Sequence, residues 1–143
     1  MMFEVKGITD SELEKTRKFL LSVSSIDEVD NDVLKNAVIV LDEKRVVGAV
    51  SYEIFSNYAL VRYFIFQKTL KEDVVKKMFE SLINKAKMEN IDYLFSIILS
   101  SEVESLFKDL EFKVADKSKI FIDEQCFLKT KYKDALFMIR PIS

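Results

Sequence analysis

Residues 60–99 constrain the fold more than any other part of this chain, because an apolar run, a helical pattern and a second apolar run follow one another there. The first run, LVRYFIFQ, is aromatic and β-branched, and the last, IDYLFSIIL, is almost wholly apolar. Between them, LKEDVVKKMFESLINKAKMEN places its apolar residues at the spacing of an amphipathic helix. A strand, a helix and a strand of these lengths predict a parallel pair with a crossover connection. We therefore predict that Val61–Phe66 and Tyr93–Leu99 are parallel neighbours in one sheet.

The composition is that of one folded domain, and we expect residues 1–143 to form it. Apolar residues make up 49% of the chain and charged residues 32%, which excludes an intrinsically disordered sequence. The net charge of −2 comes from signs spread evenly along the chain, so it gives no electrostatic case for nucleic acid or an anionic membrane as a partner. With no apolar run of about 20 residues and no signal-peptide pattern at the start, we expect a cytoplasmic protein.

Two missing residue types exclude several kinds of chemistry. The sequence contains no histidine, so catalysis by a Ser-His-Asp or Cys-His set and zinc binding through imidazole are excluded within this chain. The single cysteine, Cys126, cannot form an internal disulfide or a Cys-x-x-Cys site. We expect no metal cofactor, and a general acid or base must be Asp, Glu, Lys, Tyr, Cys or water.

Helix starts are predicted from capping boxes, since the sequence has only two glycines and one proline to punctuate it. A Ser or Thr followed three residues later by Glu occurs before four apolar-periodic segments: Thr9/Glu12, Ser25/Glu28, Thr69/Glu72 and Ser101/Glu104. Apolar strand patterns fill the gaps between the helices, and a tight turn is predicted at Ser56-Asn57. The predicted order is strand, two helices, three strands, helix, strand, helix and two strands. The fold class is therefore α/β (α+β), with one mixed, mostly antiparallel sheet flanked by helices.

This order and three phrases of the sequence resemble the GNAT superfamily of N-acetyltransferases over almost the whole chain. VVKKMFESLINKAKMENIDYLFSIIL is similar to the central helix of that family and the strand after it. SSEVESLFKDLEFKVADK is similar to its fourth helix and following strand, and DALFMIRPI to its closing strand. The resemblance implies an acyl-CoA N-acyltransferase-like fold and a function as an acetyl-CoA-dependent transferase of acyl groups to a primary amine. The acceptor would be a small molecule or a protein.

The resemblance also shows where this sequence departs from the family pattern. The family's pyrophosphate loop is Arg/Gln-x-x-Gly-x-Gly/Ala, and alignment on the central helix puts Leu70 at its first position and Asp73 and Val75 at its glycine positions. Side chains at those two positions obstruct close approach of the backbone to a phosphate. The family's tyrosine acid falls on Phe107, which has no proton to donate. The loop is thus degenerate, and we expect weak acetyl-CoA binding.

Several residues are candidates for the site that the resemblance implies. Lys68 and Lys71 would supply cations to the phosphates, and Ile65 and Phe66 would contact the pantetheine. Glu53 is the candidate base, although a solvated glutamate on a sheet face is also consistent with the pattern.

Two further alternatives remain open at this stage. Thr69 and Glu72 would form either a modified anion site or an ordinary capping box, and the three similar patterns elsewhere in the chain favour the capping box. For the whole chain, the alternative function is a non-catalytic GNAT-fold binding or assembly module that has lost coenzyme A binding.

Overall fold

The computed structural model describes residues 3–23, 28–98, 101–115, 121–122, 125–126 and 136–142. Its helices are a short 3-10 helix at Asp10–Glu12 followed by α1 (Leu13–Val23), α2 (Asn31–Leu34), α3 (Glu72–Met88) and α4 (Ser101–Asp109). The strands are β1 (Phe3–Gly7), β2 (Val38–Asp42), β3 (Arg45–Phe55), β4 (Tyr58–Phe66), β5 (Tyr93–Ile98), β6 (Lys113–Val114), β7 (Phe121–Ile122), β8 (Gln125–Cys126) and β9 (Leu136–Pro141).

Seven of these strands form one mixed sheet in the order β1-β2-β3-β4-β5-β9-β6, and β7 and β8 form a separate two-stranded hairpin. The fold class predicted from the sequence is confirmed, with the small hairpin as an addition to it. β4 and β5 are parallel neighbours, as predicted, and pair from Tyr58↔Tyr93 to Leu60↔Phe95. The paired residues of β4 therefore precede the predicted segment, while Leu99 lies outside the described residues.

The described chain divides into two compact units, of which the first comprises Met1–Glu53 and Val61–Glu89. In this unit α3 packs against β1 and β2. An apolar cluster also joins side chains of α1, α2, β2 and β3: Phe19, Leu20, Leu34, Ile39, Leu41 and Ala49. Because β2 is covered on both faces, Val38–Leu41 are all buried, as a fully apolar strand requires.

The second unit comprises Ile54–Leu60 and Asn90–Ser143. Its core is an aromatic cluster centred on Phe95, whose ring stacks on Phe137 with 4.9 Å between centroids and meets the edge of Tyr58 at 5.7 Å. β9 pairs along the full length of β5 in antiparallel register, from Tyr93↔Pro141 to Ile98↔Leu136. This unit contains the buried strand that the run IDYLFSIIL predicts.

One of the predicted helix caps forms as expected. Glu12 accepts hydrogen bonds from the Thr9 backbone N–H at 3.0 Å and from the Thr9 hydroxyl at 2.8 Å, and it forms an ion pair with Lys6 at 2.9 Å. Burial would raise the pKa of Glu12, but the hydrogen bonds from Lys6 and Thr9 keep it below its usual value.

The N-cap of α2 is not the residue that the sequence pattern predicts. The N-cap of this helix is Asp30, whose carboxylate accepts from the backbone N–H of Asp32 at 2.9 Å. Ser25, the predicted cap, lies outside the described residues.

Candidate functional site

The candidate acceptor side of the site begins with an ion pair between neighbouring strands of the first unit. The Arg62 guanidinium donates from Nη1 to Glu53 Oε1 at 2.5 Å, and both side chains are 34% exposed. The predicted tight turn, which joins β3 to β4 at Ser56-Asn57, is present. It folds the two strands back on each other and so brings Glu53, the candidate base, beside Arg62.

Tyr63 connects this ion pair to the start of α2. Its backbone has φ = 56°, which is uncommon for a residue other than glycine inside a strand. Its ring lies 5.0 Å from the Arg62 guanidinium carbon, a cation–π distance. Its hydroxyl accepts a hydrogen bond from the backbone N–H of Asp30 at 2.8 Å. Tyr63 therefore holds the segment before α2 next to the Glu53–Arg62 pair.

An open pocket of about 470 Å³ lies at this junction, and we call it the acidic pocket. Its walls are formed by the segment before and at the start of α2 and by β4: Glu28, Val29, Asp30, Asn31, Arg62 and Tyr63. The carboxylates of Glu28 and Asp30 line it together with the Arg62 guanidinium, which is already paired with Glu53. Because Arg62 is neutralised by Glu53, the two lining carboxylates leave the pocket with a net negative charge, which favours a cationic ligand such as an ammonium group.

The adjacent residue on β3 takes no part in this pocket. Tyr52 is fully buried and donates its phenol hydrogen to Glu89 Oε2. Burial and the contact with the Glu89 carboxylate both raise the pKa of Tyr52 above its ordinary value. Tyr52 is thus held as a neutral structural donor, while Glu53 on the other face of the strand remains half-exposed.

The candidate coenzyme side of the site is the connection from β4 to α3. The Gln67 N–H donates to the Val47 carbonyl at 3.0 Å, and the Leu70 N–H donates to the Gln67 carbonyl at 2.9 Å, which closes a turn. Leu70 is buried and lies so near Gly48 that a Cβ there would be 3.3 Å from Leu70 Cδ2. The packing of Leu70 therefore fixes the path of the chain into α3.

The predicted Thr69/Glu72 capping box is wrong. The N-cap of α3 is Lys71, and no side chain makes a cap hydrogen bond there. Thr69 lies inside the turn that buries Leu70, so the helix begins two residues later than a cap at Thr69 would require. As a result, the first N–H groups of α3 have no side-chain acceptor, and Glu72 and Asp73 occupy its first turn.

The predicted coenzyme residues lie on or beside this connection. Lys68 and Lys71 are exposed, and neither forms an ion pair within the described part of the chain. Ile65 packs against the apolar cluster on the α1 side, whereas Phe66 lies beside the Cβ position of Gly48 with Leu70 and Met78. Because these two side chains lie on opposite faces of β4, a single ligand could reach both residues only through their backbone groups.

Phe107, at the position of the family's tyrosine acid, is a core residue. It is 2% exposed, and its ring meets the edge of Phe112 with 4.9 Å between centroids. Within the described ranges, no group of three or more potential ligands is arranged to hold a metal ion. In the same part of the chain, no helix has both the length and the apolar character to cross a membrane.

Comparison with known proteins identifies the fold. An acetyltransferase of the GNAT family from Staphylococcus aureus superposes with a TM-score of 0.75 at 15% identity, covering 99% of this chain and 100% of that chain. The fold is that of the GNAT acetyltransferases. A probable acetyltransferase from Staphylococcus epidermidis gives a TM-score of 0.70 at 14% identity, covering 99% of this chain and 100% of the other.

A GNAT phosphinothricin acetyltransferase from Sinorhizobium meliloti, in complex with acetyl-CoA, gives a TM-score of 0.66 at 16% identity. That superposition covers 100% of this chain and 90% of the enzyme. No protein-family model matches the sequence. No curated protein matches it either.

The sequence predicted part of this site. It names Glu53 as the candidate base, a role that stays a prediction. The contribution of Glu28 and Asp30 was missed, because Asp30 is 33 residues from Tyr63 and their contact depends on tertiary structure. The available signal was the run Asp30-Asn31-Asp32, which is typical of a helix N-cap.

Proposed function

We propose that this protein is an acetyl-CoA-dependent N-acyltransferase whose acceptor is a cationic primary amine. The observation that carries the proposal is the acidic pocket on a GNAT fold, with Glu53 and Arg62 paired at its side. Each of the three similar structures is described as an acetyltransferase, and one of them contains acetyl-CoA. Since a fold supports many functions, the pocket rather than the fold gives the substrate class.

The residues of the first unit have distinct roles in this proposal. Acetyl-CoA supplies a thioester, whose carbonyl carbon forms an amide with the amine as the thiol departs. The acidic pocket attracts the acceptor as an ammonium ion, and Glu53 or a water molecule removes its proton so that the nitrogen can attack. Arg62 fixes the orientation of Glu53 through the 2.5 Å contact. With Phe107 at the position of the acid, the rate gain comes mainly from proximity.

The coenzyme would be held by groups that fit it only in part. The uncapped N–H groups at the start of α3 suit a phosphate, and Lys68 and Lys71 add positive charge. The carboxylates of Glu72 and Asp73 oppose it, although Lys76 lies 3.6 Å from Glu72. We therefore expect a dissociation constant of about 100 μM or weaker for acetyl-CoA, on the order of 5 kcal/mol of binding free energy.

The same two carboxylates favour a second candidate function, a non-catalytic binding or assembly module that kept the fold and lost the coenzyme. In this alternative the start of α3 repels phosphate and the acidic pocket binds a cationic partner without chemistry. Titration calorimetry with acetyl-CoA and free CoA separates the two candidates. Binding of acetyl-CoA with a dissociation constant near 100 μM supports the enzyme. The absence of binding heat for both ligands supports the non-catalytic module.

Turnover gives the second half of the test. The protein is incubated with acetyl-CoA and a series of mono- and diamines, and acetylated products are measured by mass spectrometry. Glu53→Gln should lower kcat by about a hundredfold, in the range of a lost general base, with little change in the KM of acetyl-CoA. Glu80→Gln, an exposed change on α3, is the matched control and should leave kcat unchanged. Equal rates for both variants would exclude Glu53 as the base.

A further inference from the structure

A second pocket of the first unit has the opposite charge. It has a volume of about 540 Å³ and lies beside α1 and the turn between β2 and β3. Four cationic side chains and one carboxylate line it, namely Lys15, Lys18, Lys44, Arg45 and Glu43. This cationic pocket thus has a net charge of +3, while the whole chain has a net charge of −2.

The positive charges of this pocket are mostly not neutralised by the protein. Lys15 Nζ donates to the Lys44 carbonyl at 3.0 Å, so its partner is a neutral group. Arg45 lies 3.8 Å from Asp42, and its side chain is 71% exposed, which makes this a weak pair. Lys18 and Lys44 form no ion pair with any residue that the structure describes. Like charges gathered without counter-charges cost free energy unless an anion is bound.

The turn that carries two of these cations is itself strained. Glu43 has φ = 50° and Lys44 has φ = 71°, the left-handed region that such hairpin turns usually fill with Asn and Gly. A non-glycine residue in this region costs free energy, and such positions are concentrated at ligand sites. The strained turn places Lys44 and Arg45 at the pocket, and the bond from Lys15 ties the turn to α1.

We propose that the cationic pocket binds a small molecule that carries a diphosphate, of the nucleoside diphosphate class. Such a ligand has about three negative charges at pH 7, which matches the charge of the pocket. The volume lies within the range of small-molecule sites, and the buried Phe19 and Val46 give the pocket an apolar wall for the rest of the ligand. Gln67, directly before Lys68, adds an amide that can donate to a phosphate.

This proposal does not depend on acyltransferase activity, because it concerns different residues and is tested by binding alone. The full chain is titrated by calorimetry with sodium pyrophosphate and with ADP at low ionic strength, where charge attraction is least screened. We expect both probes to bind, ADP more tightly, and the affinity to fall as salt is raised.

The test variant is Lys18→Ala with Lys44→Ala, and the matched control is Lys77→Ala with Lys87→Ala on the exposed face of α3. Each lost charge-assisted contact should lower the affinity for ADP about tenfold. The affinity of the test variant should therefore fall about a hundredfold, and that of the control less than twofold. Lys18, Lys77 and Lys87 lie on helices, and Lys44 lies in a turn. All four side chains are exposed, so circular dichroism should show both variants folded. No heat with either probe, or an equal loss in both variants, would overturn the proposal.

The same diphosphate chemistry has two possible sources, a separate nucleotide or the nucleotide end of coenzyme A. If acetyl-CoA competes with ADP, and the test variant weakens both ligands, the pocket receives the coenzyme's own diphosphate. If the protein saturated with acetyl-CoA still binds ADP with unchanged affinity, the ligand is a separate molecule. Either result supports a diphosphate site, and a failure of acetyl-CoA to bind at all would leave the ADP titration as the deciding measurement.

Discussion

Tyr52 is fully buried in β3 and donates its hydroxyl hydrogen to Glu89, the residue at the C-terminal cap of α3. A second bond supports the same region, since the Asn36 side-chain amide donates to the Tyr52 carbonyl at 3.0 Å. One residue therefore links β3 to the end of α3 and to the chain after α2. The neighbouring Glu53 pairs with Arg62, which lines the acidic pocket, so this stretch of β3 has a structural face and a candidate functional face.

We predict that Tyr52→Phe lowers the free energy of unfolding at pH 7 by about 1 kcal/mol, because Glu89 loses its donor. The pKa of Tyr52 is raised in the folded state by burial and by Glu89. A raised pKa contributes stability that is fully present below the unfolded value of about 10 and is lost as the pH rises above it. The wild type should therefore lose more stability than Tyr52→Phe between pH 9 and pH 11, as measured by urea unfolding.

Tyr93→Phe is the control for that measurement, since Tyr93 is 39% exposed. Its pH dependence should follow the wild type. If Tyr52→Phe and Tyr93→Phe gave the same alkaline profile, the Tyr52–Glu89 bond would not contribute to stability.

At the scale of elements, α3 and the turn before it decide how well a phosphate can bind. Burial of Leu70 shifts the helix start from Thr69 to Lys71, which leaves N–H groups uncapped but puts Glu72 and Asp73 in the first turn. The helix dipole at this end attracts anions, and the two carboxylates already interact with it. A phosphate must therefore compete with the protein's own negative charge.

We predict that Glu72→Gln with Asp73→Gly strengthens coenzyme A binding by about tenfold, because it removes two like charges and one backbone obstruction. The glycine should lower stability by about 1 kcal/mol. Calorimetry with coenzyme A and a urea unfolding curve check the two parts. The control, Glu80→Gln with Glu4→Gln, removes two exposed carboxylates elsewhere and should change neither affinity nor fold. An unchanged affinity in the test variant would show that charge and glycine loss are not the barrier.

The elements were more predictable from the sequence than their ends and contacts. β5 and the crossover through α3 follow from apolar periodicity, and the Thr9–Glu12 cap follows from a local pattern. The same pattern failed at Thr69, because the long-range packing of Leu70 against the Gly48 region overrides a local cap. The acidic and cationic pockets were not predicted, since each depends on residues far apart in sequence that meet only in the folded chain.

At the scale of the whole molecule, the net charge conceals a strong separation of charge. The sequence value of −2 gave no reason to expect an anion site, yet the first unit has one pocket lined by two carboxylates and another lined by four cations. An average over the chain cannot report on groups that folding collects from separate segments. Two ligands of opposite charge are therefore compatible with one nearly neutral chain.

Ligand binding should also appear in the thermal stability of the full chain. With a dissociation constant of about 100 μM, 1 mM acetyl-CoA stabilises the folded state by about 1.4 kcal/mol, since only the folded protein binds it. For a chain of this length, that free energy corresponds to a rise in Tm of about 3–6 °C.

S-acetylpantetheine, which lacks the nucleotide and its phosphates, is the control ligand and should give a smaller rise at the same concentration. A rise above about 10 °C would require micromolar binding and would contradict the effect assigned to Glu72 and Asp73. No rise with 1 mM acetyl-CoA would favour the module that has lost the coenzyme, because the start of α3 would then exclude phosphate altogether.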